Sequence, residues 1–150
     1  MDENLILLDH QYVLFTLEKE YYGIDILNVQ TIERVTEITR VPQAPEHVEG
    51  VINLRGEIIP VINLRTRLNL SRKEIDEDSR IIIVSKDEII TGILVDSSYE
   101  VLKLEDDSIE NAPDIYNSVD KNYIEAIGKN DDRIIILLNL KKVIETYKEI

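Results

Sequence analysis

The chain has 150 residues, with 17 Lys and Arg against 30 Asp and Glu and a formal net charge of −13. A chain of this length holds one ordinary domain or two small lobes on a shared core, and its acidity argues against nucleic acid and anionic membrane, which are bound through basic surface. With no cysteine there are no disulfides, no thiol nucleophile and no thiolate zinc site.

Residues 1–10 are expected to form a flexible N-terminus, with Asp2 and Glu3 standing where a secretory signal would be basic. The runs 12–17 and 21–24, separated by Glu18-Lys19-Glu20, read as a hairpin, and a short helix is expected after Asp25. Further β-branched runs fall at 31–35, 57–62, 80–84, 89–95, 99–104, 123–127 and 133–138, with turns at Lys86-Asp87-Glu88 and 128–132. Pro60 lacks an amide proton, so its strand is expected at an edge or a bulge. One helix closes the chain, where Asn139 caps and Leu140, Val143, Ile144 and Tyr147 share a face. The apolar runs are strand-sized, far below the roughly 20 residues that span a bilayer. These features predict a mainly β barrel or sandwich, a cytoplasmic location and no insertion into membrane.

The two halves echo each other at an offset of about 69 positions. Gly23-Ile24 answers Gly92-Ile93, Ala44-Pro45-Glu46 answers Ala112-Pro113-Asp114, and Val61-Ile62-Asn63-Leu64 answers Leu137-Leu138-Asn139-Leu140. Two similar small barrels in one domain, packed through an apolar seam with a groove between them, are therefore expected.

Chemistry is sparse. The five glycines are scattered, so no phosphate-cradling loop exists. His10 and His47 lie 37 positions apart with no nucleophile or metal-ligand spacing, and read as surface histidines. The acidic runs 74–78 and 105–110 read as solvated loops, and Asp96 as a turn residue. No catalytic residue, metal site or cofactor is expected. The segment 48–67, VEGVINLRGEIIPVINLRTR, stands apart. There Arg55, between Leu54 and Gly56 at a hairpin tip, reads either as a fixed cation on an apolar surface of an acidic protein or as the partner of one of the 30 carboxylates.

That segment resembles the NLRG and IPVxDLR signature of the CheW coupling-protein family and the homologous regulatory domain of CheA histidine kinases. The motif Tyr22-Gly23-Ile24-Asp25-Ile26-Leu27, then Val29-Gln30, Gly92-Ile93-Leu94-Val95-Asp96, Val101-Leu102 and Ala112-Pro113 follow in the family's order, so the similarity covers about 11–147. The resemblance implies two five-stranded, SH3-like β-barrels in a single domain over 1–150, with short helices and a C-terminal helix. It implies a non-catalytic scaffold joining chemoreceptor cytoplasmic hairpin tips to the regulatory domain of CheA, or a related adaptor of another receptor–kinase system such as one controlling surface motility. By similarity, a receptor groove involves Val29, Gly50, Arg55, Gly92 and Val101. Kinase contacts come from Thr31 and Ile32 and from the loop 109–115, with Ile109, Glu110, Asp114 and Ile115. Three positions depart from the family pattern. Thr31 stands where many relatives carry an acid, Glu110 where some carry a base, and Asn63 where Asp is usual.

Overall fold

The structure, a computed structural model, describes residues 10–113, 115–116 and 119–145. In chain order the strands are β1 (Gln11–Leu17), β2 (Glu20–Asp25), β3 (Val29–Arg34), β4 (Val48–Leu54), β5 (Glu57–Asn63), β6 (Arg80–Lys86), β7 (Ile89–Val95), β8 (Ser97–Lys103), β9 (Ile109–Glu110), β10 (Ile115–Tyr116), β11 (Val119–Asp120), β12 (Ile124–Asn130) and β13 (Arg133–Leu138). The helices are α1 (Leu64–Arg67) and α2 (Leu140–Glu145), and single 3-10 turns precede β3, β9 and β12.

Local chemistry accounts for the connections. Three hairpins turn through two residues of positive φ, Glu18-Lys19, Arg55-Gly56 and Asp87-Glu88, the geometry that matches strand twist. The turn expected after Asp25 is a 3-10 turn, in which the Asp25 carboxylate accepts from the Leu27 amide at 2.9 Å. Asn63 caps α1 by accepting from the Thr66 amide at 3.3 Å, and Asn139 caps α2 by accepting from Lys142 at 3.2 Å. Leu140, Val143 and Ile144 are buried as the helical spacing predicts, while Tyr147 lies outside the described residues.

Two SH3-like sheets result, in the orders β8-β1-β2-β13-β12-β9 and β3-β6-β7-β5-β4. Each is antiparallel except for one parallel pair, β2 with β13 and β5 with β7. Among the described residues no ladder joins the two ends of either sheet, so neither is a closed barrel. The internal echo is structural. Gly23 lies opposite Leu137 and Gly92 opposite Val61, and the strand orders correspond one to one apart from β9. Each sheet nevertheless combines strands of both halves: β1 and β2 join strands from the second half, and β6 and β7 join strands from the first. A lobe is therefore not a continuous stretch of chain.

The continuous apolar runs follow from burial of both strand faces. Ile82 and Val84 enter a core shared by the two sheets together with Phe15, Tyr22, Ile93 and Ile136. Their neighbours Ile81 and Ile83 fill the interior of the five-stranded sheet. Leu14, Leu104, Ile135 and Leu137 do the same in the other sheet.

Two local expectations change. Pro60 lies in β5, an interior strand rather than an edge. It is tolerated because the ladder to β7 begins only at Val61, so at position 60 the strand pairs on one side, with Val51, two residues from the bulge between Val48 and Gly50. Residues 1–9 of the expected flexible terminus lie outside the described residues, but His10 is tied down. Its carbonyl accepts from the Leu104 amide at 2.8 Å and its ring pairs with Asp106.

Candidate interaction surface

The β4–β5 turn presents Arg55. Its φ of 51° and the Gly56 φ of 88° make the tight turn, and the Gly56 amide donates to Asn53 Oδ1 at 3.0 Å. Arg55 is exposed and makes no ion pair among the described residues. It borders a concavity of about 340 Å³ with Gln30, Thr31, Leu54, Glu57 and Ile59. Leu54 and Ile59 supply apolar walls, and the other four side chains are polar.

Val29 is half-buried in β3 and packs against the shared core. Gly50 is buried: a Cβ there would come 2.3 Å from the Thr39 carbonyl oxygen, and its φ of 154° itself favours glycine. Gly92 is also buried, and a Cβ would stand 2.8 Å from Ile81 Cγ2. Close packing inside the five-stranded sheet explains both glycines. Val101 is 51 % exposed on β8 and Ile32 40 % exposed on β3, the outer strands of the two sheets. They occupy corresponding positions, Val101 opposite Val13 and Ile32 opposite Ile82.

Thr31 is half-buried, and its hydroxyl donates to Glu33 at 2.7 Å. The five residues expected to form a receptor groove are thus spread over β3, β4, β7, β8 and the β4–β5 turn, whereas Arg55 and Thr31, assigned to different partners, share one concavity. The 109–115 segment is only partly a loop. Ile109 and Glu110 form β9 against β12, Ile109 packs on the interior of the six-stranded sheet, and Glu110 pairs with Lys129 at 3.1 Å. Asp114 and the side chain of Ile115 lie outside the described residues. His47 is half-buried rather than a surface residue, with its carbonyl accepting from the Asn63 amide at 2.7 Å. Among the described residues no three His, Asp or Glu side chains converge as a metal ion requires.

A second charged arrangement was not apparent from the residue pattern. Arg65, in α1, grips Asp96 with two hydrogen bonds of 2.8 and 2.6 Å and reaches Glu18 at 3.2 Å and the Ser71 carbonyl at 2.8 Å. Asp96 also accepts from the Glu18 amide at 2.9 Å. The cluster joins the turn of β1 and β2 to the ends of β5 and β7 and so ties the two sheets together. Burial pushes the Asp96 carboxyl up, but the hydrogen bonds from Arg65 and the Glu18 amide outweigh it and hold the group below the usual aspartate range. Burial, reinforced by Glu20, Glu18 and Asp96, pushes the neighbouring Tyr22 phenol up to about 12, so it stays neutral. The only signal in the residues was Asp96 directly after an apolar run, which also fits a plain turn.

The model of the CheW-like domain family matches residues 11–148. The chain is similar to the chemotaxis protein CheW of Thermotoga maritima, 37 % identical with 95 % of this chain and 94 % of the relative covered. It is also similar to the chemotaxis protein CheW of Bacillus subtilis, 35 % identical over 89 % and 85 %, and to that of Klebsiella aerogenes, 34 % identical over 91 % and 82 %. The crystal structure of the scaffolding protein TtCheW from Thermoanaerobacter tengcongensis superposes with a TM-score of 0.81 at 40 % identity, covering 87 % of this chain and 84 % of that one. The two-sheet fold, the order of the motifs and these matches have one reading: the chain belongs to the CheW family.

Proposed function

We propose that this chain is a chemotaxis scaffold that holds the cytoplasmic hairpin tip of a chemoreceptor and the regulatory domain of a CheA-type histidine kinase at the same time, without catalysing a reaction itself. The observation that carries this reading is Arg55, an exposed guanidinium with no ion pair among the described residues, on a tight turn beside a concavity that Leu54 and Ile59 also line. Such a group meets a carboxylate, or the carbonyls at the C-terminal end of a helix, on a helical partner. The chain acts as a single domain in this reading, supported by the core common to both sheets. It works in the cytoplasm and reaches the membrane only through its receptor; no described helix is long and apolar enough to cross a membrane.

Receptor contacts center on Arg55 and Val101, with Val29, Gly50 and Gly92 shaping the surface from beneath. Kinase contacts use Thr31, Ile32, Ile109, Glu110, Asp114 and Ile115. The test is a pair of calorimetric titrations, with a receptor-tip fragment and with the isolated kinase regulatory domain. Micromolar or tighter binding to both, with Ile115→Asp weakening the kinase complex and sparing the receptor complex, supports the reading. Absence of binding to either partner overturns it.

A further inference from the structure

We draw no further inference here: the strongest candidate, the concavity of about 660 Å³ that the β3–β4 loop, residues 40–46, forms with Val48, Glu49 and Arg72, carries nothing, because its two arginines, Arg40 and Arg72, are offset there by Glu46 and Glu49 and nothing in the structure shows what covers it.

Discussion

The pentapeptide Val-Ile-Asn-Leu-Arg occurs twice, at 51–55 and at 61–65, and meets two fates. In both copies the asparagine side chain accepts a hydrogen bond from the amide three residues on, Gly56 in the first and Thr66 in the second. In the first, Gly56 takes a φ of 88° and the chain reverses into a hairpin, leaving Arg55 exposed at the tip. In the second, Thr66-Arg67 continues as helix α1, Leu64 is fully buried, and the Arg65 side chain retains only 12 % exposure, held against Asp96 and Glu18. Identical local sequence thus yields one exposed arginine with no ion pair among the described residues and one committed to the fold. The residue that follows decides the turn, and the strand environment decides the charge pairing, since β4 is an edge and β5 is enclosed between β4 and β7.

The contrast is sharpest in stability. Arg65→Ala leaves the Asp96 carboxylate, 13 % exposed, without its partner, and is expected to cost about 3 kcal/mol in denaturant unfolding. Arg55→Ala is expected to stay within about 0.5 kcal/mol of wild type. Equal losses for the two would erase the distinction. Gly92→Ala, which forces a methyl group against Ile81, is expected to cost about 1–3 kcal/mol by the same measurement; a neutral outcome would show that the five-stranded sheet yields there and reopen Gly92 to a direct contact.

In binding the ranking reverses. Arg55→Asp turns attraction into repulsion and is expected to weaken receptor-fragment binding about tenfold, or about 1.4 kcal/mol, with an unchanged melting temperature. Normal binding in a titration would make Arg55 a bystander.

The smallest effect is a pH dependence. The folded-state pKa of Asp96 lies below its unfolded value of about 3.9. Its stabilisation is therefore complete above that value and is lost as pH falls through the lower, folded one. Thermal melts of Asp96→Asn should be less stable than wild type near neutrality and show a shallower loss below about pH 4. An unchanged acid slope would mean that the Arg65 grip contributes nothing in solution.

Legibility followed the range of the interactions. The turn at Glu18-Lys19, the cap at Asn139 and the buried face of α2 depend on residues within a few positions of one another, and the residue pattern shows them. The strand runs were legible because alternate residues feed different cores, as Ile81 and Ile82 do, which makes the whole run apolar. The repeat was visible in short motifs, but not the exchange of hairpins between halves, because the parallel pairing of β2 with β13 joins residues more than a hundred positions apart. For Pro60 the choice between edge and bulge was not legible for the same reason: the rule that places proline at one or the other is local, whereas the bulge of β4 beside it and the point at which β7 begins to pair are not. On the surface, motif order separated Thr31 from Arg55, and only the curl of one sheet brought them together.

By itself, then, the chain's composition and pattern determined a mainly β, acidic protein with tight turns, because turn chemistry, capping and side-chain alternation act over a few residues, and its motifs carried the resemblance to the CheW family. Tertiary structure alone decided which of the two arginines in identical pentapeptides is held in ion pairs, which glycines are enclosed and which of the proposed contact residues border one concavity, because burial and charge pairing depend on strands that meet only after the chain has folded.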